Sequence, residues 1–235
     1  FFTAARQFIA PLSPLPETGM ARLADLLARI IAASESAAAP ARKTHMRISR
    51  RTDPGSDGVP ATRIDPYLTD LLRFRTDASL AAWADRDIDG RPWNTFTAIW
   101  EDDQVSAASL VEKLANRSYS ADDYDASLAR LLEMGWIAGE DGAYTLTAVG
   151  SEIHQEAEET TDRLYFSGWS ALRAGEPQEL HDLLLDLRAS LQEMAADKAT
   201  AAFSQANTLA VDLSGSIFQI TRPVMDPLME ELGLT

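Results

Sequence analysis

Residues 106–150 restrict the possible folds more than any other part of the chain. Leu110, Val111 and Leu114 fall at helical spacing over residues 106–116, and residues 117–120 break that pattern. Ser120-Ala121-Asp122-Asp123 has the form of a capping box, a hydroxyl at the N-cap with an acid three residues on, so a second helix starts there. Tyr124, Leu128, Leu131 and Leu132 supply its buried stripe. Gly135 stops it, because glycine takes the left-handed conformation beyond a helix end at little cost. Trp136-Ile137-Ala138 and Ala143-Tyr144-Thr145-Leu146 flank Gly139-Glu140-Asp141-Gly142, which reads as a β-hairpin closed at an Asp-Gly turn. Helix, break, helix, hairpin is a winged-helix plan. Thr147 caps a long helix beyond it, from about 148 to 167.

The rest of the chain reads as helical by the same test. Pro11, Pro14 and Pro16 make residues 1–17 an extended segment, since each proline lacks an N–H and restricts its predecessor. Leu23, Leu26, Leu27, Ile30 and Ile31 give an amphipathic helix over 20–33. A further helix opens at Asp65-Pro66 and carries Leu68, Leu71, Leu72, Phe74 and Leu80 toward Trp83. After a turn at 87–92, Trp93, Phe96, Ile99 and Trp100 enter a helix–helix core. Pro177 opens a helix in which Leu180, Leu184, Leu187, Leu191 and Met194 form a heptad seam, short enough to suit packing within a bundle as well as dimerisation. A small-residue stretch at 195–210 and a last helix near Ser214, interrupted by Pro223 and Pro227, complete the chain. The expected fold class is mainly α with a small β-hairpin wing. Its expected divisions are 1–17 (extended), 18–100 (helical, with a basic loop at 41–58), 101–150 (winged helix-turn-helix) and 151–235 (helical dimerisation or packing region).

Composition removes several kinds of chemistry. The 235 residues are 46% hydrophobic and 24% charged, the balance of a globular protein, and they contain no Cys. Thiol nucleophiles, iron–sulfur clusters and thiolate zinc sites are therefore excluded. His45, His154 and His181 lie far apart without metal-ligand spacing, and His154 with Glu158 reads as a surface i, i+4 pair. No phosphate-binding glycine loop or nucleophile elbow occurs. The expectation is a protein without catalytic residues, metal or cofactor, acting by binding. No apolar run reaches the roughly 18 residues of a membrane span. The opening Phe1-Phe2-Thr3-Ala4-Ala5-Arg6 has neither an initiator Met nor a basic leader, which reads as a processed or truncated start of a cytoplasmic protein.

The net charge of −15 is unevenly placed. Residues 1–100 hold 13 basic and 11 acidic side chains, whereas residues 101–235 hold 8 and 25. Arg42, Lys43, Arg47, Arg50 and Arg51 form the one basic cluster, with no acid among them.

Residues 105–165 resemble the winged helix-turn-helix of MarR-type transcription regulators. The likeness rests on the "Leu-x-x-x-Leu" helix at Leu110–Leu114, a recognition helix ending in Leu128-Ala129-Arg130-Leu131-Leu132-Glu133-Met134-Gly135-Trp136-Ile137, and Leu146-Thr147-Ala148-Val149-Gly150. In that family "Leu-Thr-x-x-Gly" joins the wing to a long dimerisation helix, which residues 151–166 resemble. More loosely, residues 65–172, with Asp77-Ala78-Ser79-Leu80-Ala81-Ala82-Trp83 and Thr161-Asp162-Arg163-Leu164-Tyr165-Phe166-Ser167-Gly168-Trp169, are similar to a little-characterised group with a helical segment before such a winged helix.

The resemblance implies a homodimeric regulator that binds operator DNA. The residues expected to meet DNA are Arg117 near the turn, Ser120 and Arg130 on the second helix, and Arg42, Lys43, Arg47, Arg50 and Arg51. Charge supports a different class. Residues 121–134 hold Asp122, Asp123, Asp125 and Glu133 against Arg130 alone, and the wing carries Glu140 and Asp141 where the family commonly has an arginine. The alternative is an acidic winged helix that serves as a protein-interaction module and meets a basic partner. Neither class involves a membrane. Trp83, Trp93 and Trp100 near Arg73 and Arg75 form a candidate small-molecule pocket, or an ordinary core.

Overall fold

The computed structural model describes residues 15–53, 59–102, 105–140 and 142–197. Residues 1–14 of the extended segment expected over 1–17, Asp141 of the expected hairpin turn, and the elements expected beyond 197 lie outside the described residues. Those described form eight α-helices and one two-stranded antiparallel hairpin. In chain order they are α1 (Glu17–Ser36), α2 (Thr44–Thr52), α3 (Pro60–Trp83), α4 (Gly90–Glu101), α5 (Ala107–Lys113), α6 (Ala121–Glu133), β1 (Ile137–Glu140), β2 (Ala143–Leu146), α7 (Ala148–Tyr165) and α8 (Glu176–Asp197). Short 3₁₀ turns at Ala115–Arg117 and Phe166–Ala171 follow α5 and α7.

Two boundaries differ from the sequence reading. The helix expected to open at Asp65-Pro66 begins at Pro60, and Pro66 lies inside it, where its missing N–H removes one helical hydrogen bond. The basic segment expected as a loop is largely the helix α2. Nine residues are too few to hold a helix in water unaided, and the cause is tertiary. The backbone N–H groups of His45 and Met46 donate to Oδ1 and Oδ2 of Asp77, each at 3.0 Å. Seven residues earlier on α3, Asp70 accepts from the Ser49 hydroxyl at 2.6 Å and from Arg50 at 3.0 Å. Both carboxylates are buried, and Met46 fills the space between α2 and the core.

The buried apolar residues fall into two clusters. The first joins Leu23, Leu26, Leu27, Ile30 and Ile31 of α1 to Met46, to Ile64, Tyr67, Leu71 and Phe74 of α3, and to Leu180 and Leu187 of α8. The α8 seam therefore packs within the chain. Leu183 and Leu184 lean on the same cluster, Leu191 stays exposed, and the side chain of Met194 lies outside those described. Arg29 fixes the docking of α8 by two bonds to Glu176 at 2.8 and 2.6 Å, and Arg22 bonds Glu176 and Glu179. Hydrogen bonds from Arg29, then from the Arg173 backbone N–H, hold the Glu176 carboxyl well below the usual carboxylate range.

The second cluster unites Trp93, Phe96 and Ile99 of α4 with Val105, Leu110, Tyr124, Leu128, Leu131, Trp136, Ile137 and Ala157. Helix α4, grouped by sequence with residues 18–100, thus has its buried face in the winged-helix core. Helices α3 and α7 pack along each other and touch both clusters. Phe74 and Tyr165 meet in the first at 6.2 Å, while Trp83 and Ile153 lean on the second. The helix expected from the resemblance to dimerise is therefore covered along part of its length by this chain's own α3.

The joint between wing and α7 accounts for the "Leu-Thr-x-x-Gly" sequence. The Thr147 hydroxyl accepts from the Gly150 N–H at 3.0 Å, capping α7, and lies within hydrogen-bond reach of the carbonyls of Gly135 and Trp136 at 2.8 and 3.1 Å. Gly150 packs so closely on the residue before β1 that a Cβ would stand 1.9 Å from the Trp136 carbonyl oxygen. At Gly90, by contrast, a Cβ would meet nothing within 4 Å. Gly150→Ala should lower the unfolding free energy by about 1–3 kcal/mol, whereas Gly90→Ala should leave it unchanged or raise it by about 0.5 kcal/mol. Urea denaturation of both variants checks this contrast.

Candidate functional site

The helix-turn-helix consists of α5, the turn at 114–120 and α6. Ser106 and Ser109 form a reciprocal capping box at the start of α5, and Ser120 and Asp123 form another at the start of α6. Between them Ser118 takes the left-handed conformation at φ 57°, which turns the chain sharply into α6. The hairpin pairs Ile137 with Leu146 and Glu140 with Ala143, and Gly142 at φ 85° serves the turn. Val105 adds a bridge to Tyr144, with N–H···O bonds of 3.2 and 3.0 Å, which ties the segment entering α5 to the wing. Sequence reading missed this pairing, since a single bridge residue leaves no periodic signal.

The surface of α6 is acidic and small. Asp122, Asp125, Ala126, Ala129, Leu132 and Glu133 are exposed, while Tyr124, Leu128 and Leu131 hold the helix in the core. Arg130 does not stand free. It bonds Glu133 at 2.8 Å and lies 3.9 Å from Asp87. Ser120 is engaged in its capping box, and Asp123 also pairs with Arg91. The two α6 residues expected to meet DNA are both committed to intramolecular contacts.

The basic cluster divides into two sets. Lys43 is buried and donates to the carbonyls of Glu35 and Ala37 at the C-terminal end of α1, so it serves as a helix stop. Arg50 pairs with buried Asp70 and with Glu35 at 3.3 Å. These two are structural, because each satisfies a polar group that folding removes from water. Arg42, Arg47 and Arg51 are exposed and make no ion pair among the described residues. Arg117, in the turn, is likewise exposed and unpaired there.

The aromatic candidates come together around a residue read from sequence as surface. His154 is 2% exposed and lies between two indoles, 5.8 Å from Trp93 at 6° and 4.5 Å from Trp100 at 15°. Trp83 stacks on the far side of Trp93 at 5.2 Å and 16°. Four nearly parallel rings from α3, α4 and α7 thus make one column. The expected His154–Glu158 surface pair is corrected accordingly: Glu158 faces outward and binds Arg75 at 3.1 Å. Histidine at helical spacing from a glutamate carries no sign of burial, so sequence alone misses the column's central ring.

Beside this column is a cleft of about 410 Å³. Its lining includes Trp83, Trp93, Arg75, Arg117, His45 and Asn94. The structure therefore brings together three of the five expected pocket residues. Trp100 lies instead on the opposite face of His154, and Arg73 borders a separate groove between α2 and α3 with Ile48 and Thr69. No group of three or more potential metal ligands occurs among the described residues. No helix there is long and apolar enough to cross a membrane.

A capped helix-turn-helix followed by a hairpin wing and a long helix defines the chain as a winged-helix protein. A helix-turn-helix family model matches residues 2–196, and the chain belongs to that family. No curated protein matches significantly, and no solved structure does either.

Burial pushes the His154 imidazole below its ordinary pKa, against the opposing influence of Glu158 and Glu101. The folded protein holds the ring neutral, so the unfolded chain takes up the proton first. This contribution is complete above the unfolded pKa of about 6.5 and falls as pH drops below it. His154→Gln, which cannot titrate, should flatten the loss of stability between about pH 6.5 and pH 5. Denaturant midpoints measured across that window check the sign, and an unchanged slope would count against it.

Proposed function

We propose that this protein is a dimeric, MarR-like, DNA-binding transcriptional regulator. The observation that supports this reading most is the complete order α5, turn, α6, wing and α7 in a chain of a helix-turn-helix family. In such a motif the second helix enters the major groove and its flanks hold the phosphates. Here the acidic face of α6 supplies none of the positive charge that retains DNA, so the phosphate contacts fall to other residues. Arg117 stands in the turn itself. His45 of α2 and Arg117 border the same cleft, which sets the N-terminal end of the basic helix beside the helix-turn-helix. Arg42, Arg47 and Arg51 on and before α2 then extend the positive surface. Exposed Val149, Phe166 and Leu191 on α7, its following turn and α8 offer apolar area to a second copy.

A second reading has its own support: the exposed face of α6 contains no free cation, and Leu132 lies on it among Asp125, Ala129 and Glu133. That face suits a basic protein better than a polyanion.

Fluorescence anisotropy with random and genomic duplexes from about 25 to about 200 mM salt, with light scattering on the same samples, separates the two. The regulator reading expects a dimer whose log affinity falls with log salt. Arg117→Ala should reduce the slope by about 1, and Arg47→Ala with Arg51→Ala by about 2. A folded protein that binds no duplex at the lowest salt would leave the interaction module as the working function.

A further inference from the structure

We propose that the groove between α2 and α3 binds the outward face of α6 of a second copy of this chain. This self-contact is separate from the apolar area on α7 and α8. It names a basic partner for α6, as the second reading above requires, and it holds whether or not the chain binds a duplex. The groove encloses about 270 Å³ between Ile48 and Thr52 of α2 and Pro66, Thr69 and Arg73 of α3. That is below the roughly 300–1,000 Å³ of small-molecule sites and suits an inserted side chain. Ile48, in its wall, is 53% exposed, and Leu72, three residues after Thr69 on α3, is 61% exposed. Large aliphatic side chains on both helices thus stand in water around a groove.

The charges around the groove call for an acidic occupant. Arg42, Arg47, Arg51 and Arg73 are exposed and have no ion-pair partner among the described residues. Arg47 and Arg51 each precede a groove residue, Ile48 and Thr52, by one position, which sets them about 100° round the helix, on the outer rim. They stand four residues apart, a spacing at which like charges repel. Asp77 holds His45 and Asp70 holds Ser49, so α2 runs antiparallel to α3. This places the groove's two carboxylates, Asp53 and Asp65, at the end where α2 finishes, and Arg73 toward the other. Incoming carboxylates are therefore drawn to the end between Arg47 and Arg73.

The outward face of α6 has the matching pattern. Asp122, Asp125, Ala126, Ala129, Leu132 and Glu133 are exposed at helical steps and form one stripe. Its centre is small, so another helix pair can approach closely, and Leu132, 38% exposed, supplies an apolar side chain for the groove. Asp122 and Asp125 have no ion-pair partner among the described residues, and three residues apart they repel as the arginines do. At 1.5 Å of rise per residue the aspartates stand about 4.5 Å apart along their helix and Arg47 and Arg51 about 6 Å along theirs, a difference that arginine side chains span. Acids on α7 and α8 are engaged within the chain: Glu156 with Arg86, Glu158 with Arg75, and Glu176 and Glu179 with Arg22.

The two faces differ, so copies exchange the contact twice about a two-fold axis or continue it head to tail, and either raises the particle mass. The contact works against the net charge of −15, which repels one copy from another. At about 100 mM salt the Debye length is about 10 Å, so that repulsion is largely screened while facing side chains still attract. At about 1 M salt the length falls to about 3 Å and the facing charges lose most of their attraction as well.

Sedimentation velocity and light scattering on the full chain, without DNA, test the contact. The mass at about 1 M salt is the baseline, whatever α7 and α8 contribute to it, and the mass at about 100 mM should exceed it and rise with chain concentration. Arg47→Glu with Arg51→Glu should weaken this association at least about tenfold, and so should Asp122→Lys with Asp125→Lys. The second pair makes the chain less negative, so repulsion between net charges alone would strengthen association where loss of the contact weakens it. Mixed in equal amounts, the two variants should associate again, because both reversed faces then meet opposite charge. Asp122→Asn with Asp125→Asn, which keeps the Ser120–Asp123 capping box, should also weaken association, and circular dichroism confirms each fold. Three results overturn the contact: no mass above the baseline up to about 0.5 mM chain, association undiminished by either reversal, or mixed variants that stay apart. The interaction-module reading is decided separately, by the duplex titration.

Discussion

The stack of Trp83, Trp93, His154 and Trp100 is the contact on which the arrangement of the whole molecule depends. Each of its rings comes from a helix with other obligations. Trp83 ends α3, whose first half is buried in the α1–α8 core, and His154 lies on α7, whose far end reaches that same core through Tyr165. Trp93 and Trp100 belong to α4, which otherwise packs mainly with the winged helix and α7. Aromatic rings have large areas and defined mutual orientations, so stacking at 4.5–5.8 Å fixes both distance and angle between the helices. The wing, the turn and α6 inherit their position from that column.

Charge in this protein is organised as much by burial as by composition. Asp70 and Asp77 sit inside the fold and draw a basic nine-residue helix onto α3. Asp77 satisfies backbone donors, and Asp70 an arginine and a serine. Burial raises the Asp70 carboxyl above its ordinary pKa even with Ser49 and Arg50 bonded to it, which marks how much desolvation those partners offset. The remaining arginines of the cluster, Arg42, Arg47 and Arg51, are exposed. A protein of net charge −15 thus keeps exposed arginines without an ion-pair partner among the described residues, at its turn and on and before α2.

How much of this was legible in the residues depends on the range of the interaction. Ser106, Ser120, Thr147, Gly135 and Gly142 act on neighbours within a few positions, and their caps, stops and turn stand where local patterning places them. The heptad seam of α8 was legible as an apolar face, but not as one that Leu23 to Ile31 of α1 would cover. Lys43 and Arg50 have the same side-chain types as Arg47 and Arg51. Only the position of the α1 carbonyls and of Asp70 makes the first pair structural and leaves the second exposed. His154 is the sharpest case, since a histidine four residues before a glutamate looks like a solvated pair until α4 brings two indoles around it.

By itself the sequence determined a mainly helical chain with a capped helix-turn-helix and a hairpin wing, because those features arise from backbone preferences and hydrophobic periodicity over ten residues or fewer. Tertiary structure alone decided that α2 is a helix, that α4 joins the winged-helix core, and that Arg75, Trp83, Trp93 and Arg117 surround one cleft. Such outcomes depend on side chains separated by tens of residues, whose meeting is set by how whole helices pack and leaves no periodic trace in the chain.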